Sequence, residues 1–226
     1  MMRPEYELPG GLFRDREEAG HALVEFLRGY DLKEPVVLGI PRGGVPVAAA
    51  IAEDLHAELD VIVARKLGAP ESAELAIGAV TANGGQYLND EIIRELGVSD
   101  AYIKREVERQ MAEAHRREAM FRGSNHHIPL TGRDVILADD GLATGATMRA
   151  SARSVRGRGP ARLVIAVPVG SVQACIALRA EADEVVCPYQ PEPFWAVGYY
   201  YRHFEPVPDE EVARILAAYR KAQAVP

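Results

Sequence analysis

The chain has 226 residues, 48% of them hydrophobic, and its 26 Lys and Arg against 33 Asp and Glu give a net charge of -7. This length fits one α/β domain, or one domain with a small appended lobe. The acidic balance does not favour nucleic acid as a partner. Charges interrupt the longest apolar stretches well before membrane length, and no secretory signal opens the sequence. We therefore expect a cytoplasmic protein that does not enter a membrane.

The first part of the chain predicts a short helix followed by one βαβ unit. Asp15 can cap a helix that continues to Leu27 with apolar side chains at helical spacing. Residues 36–40 form an apolar run typical of a buried parallel strand, and Pro46 suits the first turn of the helix after it. A second apolar run over residues 59–64 completes the unit, which we expect to be parallel and right-handed.

The middle of the chain predicts a loop, a hairpin and a long charged helix. The apolar periodicity is lost over residues 68–72, which indicates a mobile loop that could act as a lid. The run 83–85, Asn-Gly-Gly, is typical of a hairpin turn because such turns need positive φ angles. A helix with a solvated, charged face is predicted from residue 100 to about residue 122. His126 and His127 follow in a loop, and since the sequence offers no third ligand nearby, a metal site is not favoured there.

Three further apolar runs complete the predicted sheet. Residues 135–138, 163–167 and 184–187 are short runs typical of buried parallel strands, with helical segments between them. Strands that alternate with helices predict an α/β fold with a doubly wound parallel sheet. Cys175 and Cys187 have no metal-like spacing, and we expect reduced thiols in the core.

Two acids and a helix start follow the first of these three strands. Asp139 and Asp140 lie at its carboxyl end, where open α/β sheets bind ligands. Thr144, Gly145 and Thr147 fall where a helix begins, and the free N–H groups there, with two hydroxyls, suit a phosphate. The carboxylates would repel a phosphate, so they must face hydroxyl groups, a metal ion or developing positive charge. The alternative is a pair of ordinary loop acids beside a simple helix cap.

The pattern over residues 135–147 resembles the signature for phosphoribosyl diphosphate (PRPP) in type I phosphoribosyltransferases. The resemblance implies that Asp139 and Asp140 hold the ribose 2- and 3-hydroxyls. It implies a core domain over residues 36–190, with a small hood formed by residues 1–35 and 191–226. The residues assigned to the ribose and the 5-phosphate are Asp139, Asp140, Gly141, Leu142, Ala143, Thr144, Gly145, Ala146 and Thr147.

The turn of residues 41–44 lies one βαβ unit upstream, also at the carboxyl end of a predicted strand. Gly43 and Gly44 can direct two successive N–H groups at an anion, and Arg42 adds a cation that can contact phosphate oxygens. By the resemblance this turn binds the pyrophosphate of PRPP, and the bond from Arg42 to Gly43 is expected to be cis. A turn with only a structural role is the alternative.

Arg65 and Lys66 come at the end of the second predicted strand. They are similar to the basic residues that meet pyrophosphate after that strand in the family, and Lys66 is the stronger candidate. Either one could instead be a surface side chain whose stem covers apolar groups.

The C-terminal segment resembles, in part, the base-binding segment of 6-oxopurine phosphoribosyltransferases. Trp195 falls at the position that stacks on the purine in that group, and Val197 belongs to the Val-Gly-Tyr run that follows. A core or dimer-interface aromatic is the alternative for Trp195. Two features depart from the purine pattern. Ala143 stands where those enzymes carry an acid, and no lysine lies between Ala182 and Trp195.

Together these resemblances imply a pentosyltransferase of nucleotide salvage. It would transfer the 5-phosphoribosyl group from PRPP, with Mg²⁺, to a nitrogenous base, most simply a purine-like one, and release pyrophosphate. The catalytic residues would be Asp139, Asp140, Arg42 and Lys66, with the acid pair as possible Mg²⁺ contacts, and a homodimer is usual in the family. One alternative is a PRPP- or nucleotide-sensing regulator without catalysis. Another is a metal-dependent phosphatase or receiver domain, which would need a third acid where Arg42 stands.

Overall fold

The computed structural model describes residues 11–123 and 127–223. The strands are β1 Val36–Gly39, β2 Glu58–Val61, β3 Ala64–Ala69, β4 Ser72–Thr81, β5 Gln86–Leu88, β6 Asp134–Ala138, β7 Arg162–Ala166 and β8 Glu184–Val186. The helices are α1 Arg16–Leu27, α2 Gly44–Leu55, α3 Asp90–Glu95, α4 Asp100–Arg122, α5 Ala146–Arg156, α6 Val172–Leu178 and α7 Asp209–Gln223, and a short 3₁₀ helix covers Val197–Tyr200.

Five of the strands form a parallel sheet in the order β2-β1-β6-β7-β8. The sheet is covered on both faces, as the continuous apolar runs predict. Val37 and Ile136 pack on the face covered by α1 and α2. Their neighbours Val36 and Val135 pack on the opposite face, against α5 and α6. The predicted doubly wound α/β fold is therefore confirmed.

The region after β2 differs from the predicted strand and loop. The strand expected over residues 59–64 ends at Val61, and residue 64 already begins a second, antiparallel sheet in the order β3-β4-β5. The loop expected over residues 68–72 is the end of the β3–β4 hairpin, with its turn at Pro70 and Glu71. These strands form because side chains such as Leu67 pack against α3 and α4, a contact that local periodicity does not reveal.

One hairpin turn and two helix starts confirm the local predictions made for them. The turn at residues 83–85 joins β4 to β5, and Gly84 has a φ of 81°. Helix α4 begins after Ser99, whose hydroxyl accepts a hydrogen bond from Tyr102 N at 3.3 Å. Helix α1 begins after Asp15, whose carboxylate accepts from Glu18 N at 2.9 Å. His126 lies outside the described residues, so the histidine pair stays a prediction.

The described parts of the two terminal segments contact each other beside the carboxyl ends of the parallel strands. Phe13 N donates to Tyr200 O at 3.0 Å, and Arg202 N donates to Phe13 O at 2.9 Å. Phe13, Tyr200 and Tyr201 form a small apolar cluster with Val169, which follows β7. Within residues 11–123 and 127–223, the helices are too short or too polar to cross a membrane.

Candidate active site

The two turns singled out in the sequence lie against each other. Strands β1 and β6 are parallel neighbours, so the residues after them meet at one edge of the sheet. Ile40 N donates to Ala138 O at 2.9 Å. A Cβ atom at Gly43 would lie only 1.9 Å from Asp140 Oδ2, and one at Gly44 would lie 2.8 Å from Asp139 Cα. Glycine is therefore required at both positions for the turn to approach the acid pair.

The cis peptide bond of this turn joins Pro41 to Arg42, one bond before the position expected from the resemblance. The prediction of a cis bond between Arg42 and Gly43 was wrong. Gly43 already has helical backbone angles, φ -63° and ψ -30°, as the residue before α2. The change of chain direction therefore falls one bond earlier. The side chain of Arg42 is exposed at this turn.

Asp139 and Asp140 are two carboxyl groups held close together beneath the turn. Asp140 N donates to Asp139 Oδ1 at 2.9 Å. Burial and, next, the neighbouring charge of Asp140 raise the pKa of Asp139 well above its usual value. Burial also raises the pKa of Asp140, an effect that its hydrogen bond to Arg16 opposes. The pair is thus costly to ionise fully without a ligand that compensates its charge.

Arg16 is a site residue that the sequence-based prediction missed. Its Nε lies 2.8 Å from Asp140 Oδ2, and its side chain is only 11% exposed. Nη1 donates to Glu205 O at 3.0 Å, and the guanidinium carbon lies 3.9 Å from the ring centroid of Phe204. One local signal existed. An arginine at the first position of a helix is unfavourable beside the positive end of the dipole, so its presence there needed a reason.

The loop predicted to bind the 5-phosphate leads directly into α5. Gly145 precedes the helix with a φ of 80°, a left-handed conformation that favours glycine. The connection after β7 holds the loop, because Leu142 N donates to Val169 O at 2.9 Å and Ser171 Oγ donates to Ala143 O at 2.8 Å. Leu142 is buried, and its carbonyl accepts from Ser171 N at 2.8 Å, so this residue anchors the loop through its side chain and its backbone. Thr144 is exposed at the helix start.

The structure separates the two basic residues by the face of β3 on which they lie. Lys66 pairs with Ala79, and directly paired residues of antiparallel strands share a face. Ala79 packs on Ala146 and Ala150, so Lys66 lies on the face of β3 that α5 covers. Arg65 takes the other face.

Arg65 is turned towards α4, away from the face that holds Lys66. Its Nε donates to Gln110 Oε1 at 3.2 Å. Burial and, next, the charge of Arg117 lower the pKa of Arg65. Both residues lie within β3, after the end of β2, and their expected place at the carboxyl end of the second parallel strand was wrong. The chain leaves the parallel sheet at Val61, before it reaches them.

Val197 and Trp195, both in the C-terminal segment, lie in different surroundings. Val197 packs on the loop, since a Cβ atom at Gly141 would lie 2.5 Å from its Cγ1. Trp195 is 70% exposed, which excludes its interpretation as a core aromatic. Its neighbour Phe194 is half-buried and stacks on the buried Tyr200, with ring centroids 5.5 Å apart.

A cleft of about 800 Å³ opens beside the phosphate loop. Ala143 and Thr144 of the loop line it, together with Phe194 and the three residues before it. Two other lining residues contact each other, since the guanidinium carbon of Arg149 lies 4.6 Å from the ring centroid of Tyr87. The volume is in the range of small-molecule sites. The residues that line it are Tyr87, Asn89, Glu91, Ala143, Thr144, Arg149, Ser171, Gln173, Ala174, Ala177, Pro191, Glu192, Pro193 and Phe194.

Comparison with known proteins identifies the family and the fold of the chain. The model of the phosphoribosyl transferase domain matches residues 15–202. A Mycobacterium tuberculosis protein named "Putative phosphoribosyl transferase", found in strains H37Rv and CDC 1551, is 44% identical over 205 residues. The alignment covers 91% of this chain and 46% of that protein, so the chain spans about half the length of the curated relatives it matches.

A solved structure extends the similarity to three dimensions. The crystal structure of the protein TT1426 from Thermus thermophilus is 45% identical, with a TM-score of 0.79, and the match covers 92% of this chain and 98% of that one. The chain belongs to the phosphoribosyltransferase family, with the type I fold.

Proposed function

We propose that the protein transfers the 5-phosphoribosyl group of PRPP to a nitrogenous base and releases pyrophosphate. The observation that carries the proposal is the contact between the two turns. The glycine turn approaches Asp140 so closely that a side chain at position 43 would collide with the Asp140 carboxylate. One turn can thus hold the pyrophosphate while the other holds the ribose and its 5-phosphate, so both ends of PRPP would be bound at one sheet edge.

The charges of the site suit the reaction. As the bond from the anomeric carbon to pyrophosphate stretches, the ribose ring gains positive charge and the leaving group gains negative charge. Asp139 and Asp140 would place negative charge beneath the ring and accept hydrogen bonds from its hydroxyls. Arg42 and Lys66 would stabilise the departing pyrophosphate. Lys66 is the better of the two basic candidates on β3, because Arg65 is turned towards α4.

The acid pair also fits a magnesium ion that arrives with PRPP. Mg²⁺ takes hard oxygen ligands and often binds through one or two carboxylates together with substrate phosphates. Asp139 and Asp140 offer such carboxylates, whereas no three His, Cys, Asp or Glu side chains in the described ranges are grouped to hold a metal on their own. When bound, the ion would offset the negative charge of the pyrophosphate.

We propose a purine-like base as the acceptor. Ala143 and Phe194 border the cleft beside the phosphate loop, and Val197 packs on Gly141 of that loop. Trp195, one residue from Phe194, has an exposed ring that is available to stack on a flat heterocycle. Nucleotide salvage in the cytoplasm is the role such a reaction would serve. A homodimer is expected, which light scattering after gel filtration would measure.

The direct test measures pyrophosphate release by mass spectrometry. The protein is incubated with Mg²⁺, PRPP and a panel of purine, pyrimidine and related bases, beside Asp140→Asn and a matched control, Asp31→Asn. Asp31 is exposed and precedes β1, so it lies towards the amino ends of the strands. We expect release with at least one base by the wild type and Asp31→Asn only. PRPP binding in calorimetry without release would instead indicate a sensor, and neither binding nor release would reject the proposal.

A further inference from the structure

The hydroxyl of Tyr201 joins the C-terminal segment to the backbone of the acid pair. It donates to Asp140 O at 2.6 Å, and Tyr201 is only 6% exposed. Aromatic neighbours hold its ring, since the ring centroids of Phe204 and Phe13 lie 5.0 Å and 5.6 Å away. The ring therefore packs within the apolar cluster of the hood, and the hydroxyl is the part of the side chain that contacts the acid pair.

The carbonyl that accepts this hydrogen bond belongs to the peptide bond between Asp140 and Gly141. The cis peptide bonds in the described residues lie elsewhere, so this peptide is trans. In a planar trans peptide the C=O and the N–H point in opposite directions. Because Tyr201 binds the carbonyl oxygen, the N–H of Gly141 is directed away from Tyr201. Val197 packs on the same peptide, since a Cβ atom at Gly141 would lie 2.5 Å from its Cγ1. Two residues of the hood thus hold this peptide in one orientation.

The N–H of Gly141 is a donor that stays available to a ligand. Asp140 N donates to Asp139 Oδ1 and Leu142 N donates to Val169 O, both at 2.9 Å. Gly141 lies between them, and across the two described ranges of the chain no group accepts a hydrogen bond from its N–H. The residue is half-buried and belongs to the loop predicted to bind the ribose and the 5-phosphate. A backbone N–H fixed at this place suits an anionic oxygen.

We propose that Tyr201 is a positioning residue, which holds the peptide between Asp140 and Gly141 so that the N–H of Gly141 donates to a phosphate oxygen of PRPP. This inference rests on the proposed function. It gives the hood a part in binding PRPP, besides the contact with the base proposed for Trp195. Without the hydroxyl, Asp140 O loses its partner and the peptide can rotate, so the N–H would point at the ligand for only part of the time.

Tyr201→Phe tests the hydroxyl, because the change removes one oxygen atom and keeps the ring that stacks on Phe204. The matched control is Tyr219→Phe. Tyr219 on α7 donates to Ala57 O at 2.7 Å, just before β2 and therefore at the amino ends of the parallel strands. We expect Tyr201→Phe to bind PRPP on the order of tenfold more weakly than wild type in calorimetry with Mg²⁺, and Tyr219→Phe to match wild type. Equal PRPP affinity in the two folded variants would overturn the role of Tyr201.

The second measurement follows the backbone amide of Gly141 by NMR in the wild-type protein, so it does not depend on a variant that folds. PRPP with Mg²⁺ should move the amide proton resonance of Gly141 to lower field, and the shift should be smaller in Tyr201→Phe. A resonance of Gly141 that stays in place while those of residues 142–147 move would overturn the proposal.

The two measurements separate this inference from the proposed function. A wild type that binds PRPP and releases pyrophosphate, with Tyr201→Phe equal to Tyr219→Phe in PRPP affinity, would reject the role of Tyr201 alone. A wild type that does not bind PRPP would reject the proposed function, and the role of Tyr201 with it.

Discussion

Two clusters of buried charge lie beside the parallel sheet, and they are built differently. The Asp60 cluster comprises Asp60 on β2, Glu118 and Arg122 on α4, and Arg220 on α7. Arg122 Nε lies 2.9 Å from Asp60 Oδ1, and its Nη1 lies 2.8 Å from Glu118 Oε2. The acid-pair site comprises Asp139, Asp140 and Arg16. In each cluster an arginine pairs with an aspartate that is distant in the chain, Arg122 with Asp60 and Arg16 with Asp140.

The difference between them is the balance of charge. In the Asp60 cluster two carboxylates contact two guanidinium groups, and Glu118 also accepts from Val63 N at 3.2 Å. The side chains of Asp60 and Arg122 are 1% and 4% exposed, so the cluster is closed to ligands. In the acid-pair site, Arg16 faces two neighbouring carboxyl groups whose pKa values are raised by burial. A balanced cluster stabilises the fold, whereas an unbalanced one at a sheet edge suits a ligand.

Asp60→Asn should reduce the stability of the protein more than any change in the acid-pair site. The change removes one of the two carboxylates that pair with the buried guanidinium of Arg122, so we expect the free energy of unfolding to fall by about 3 kcal/mol. Denaturant unfolding measures the loss, with exposed Asp31→Asn as the matched control. A loss no larger than that of Asp31→Asn would mean that the Asp60 cluster does not carry the stability assigned to it.

The acid pair should respond in the opposite sense, with lost activity and a retained fold. Asp140→Asn or Asp139→Asn removes negative charge from beneath the ribose, and we expect kcat to fall on the order of a hundred- to a thousandfold. Circular dichroism should match that of the wild type. Steady-state kinetics of pyrophosphate release compares both variants with the wild type and with the control Asp31→Asn. Unchanged turnover with an accepted base would remove the acids from the mechanism.

The sequence predicted one of these clusters and not the other for a physical reason. The acid pair follows a short buried strand, so topology alone places it beside the glycine turn of the neighbouring strand. Asp60 carries no such signal, since its partners lie on α4 and α7, and only tertiary packing brings them together. Arg16 stands at an unusual place for an arginine, but the 124 positions between it and Asp140 leave no pattern that identifies Asp140 as its partner.

The second sheet shows a similar limit. Apolar runs predicted the parallel strands, and Asp15 and Ser99 marked helix starts, because those signals are local. The β3–β4 hairpin depends on the burial of Leu67 and Ile77 against α3 and α4. The orientation of Lys66 and Arg65 follows from that packing, so the sequence could name both residues but could not separate their faces.

Trp195→Ala tests whether the ring of Trp195 stacks on the base at the acid-pair site. The ring is 70% exposed, so its removal should leave stability unchanged. If it stacks on the base, the KM for the base should rise about two- to tenfold, with less change in the KM for PRPP. Tyr199→Ala is the matched control, because Tyr199 is another exposed aromatic of the same segment. Equal effects on both KM values would favour a packing role for Trp195.

The smallest expected effect is a gain of stability in Asp139→Asn. Because the folded pKa of Asp139 is raised, the native state binds its proton more tightly than the unfolded state does. The stability this gives is present at low pH and is lost as the pH rises through the folded pKa. Asn stays neutral and its amide oxygen can still accept from Asp140 N, so the variant should unfold at a higher temperature than wild type near neutral pH. The difference should shrink as the pH is lowered below the folded pKa.

Asp183→Asn provides a control of opposite sign for this measurement. Its hydrogen bond to Arg156 lowers the pKa of Asp183, so the ionised form stabilises the fold, and that contribution is lost on acidification. We expect Asp183→Asn to melt below wild type near neutral pH and to approach it in acid. Calorimetric scans at several pH values compare the two variants. If both variants were destabilised alike near neutral pH, the acid-pair site would be a structural cluster like that of Asp60, because its charge would then stabilise the fold.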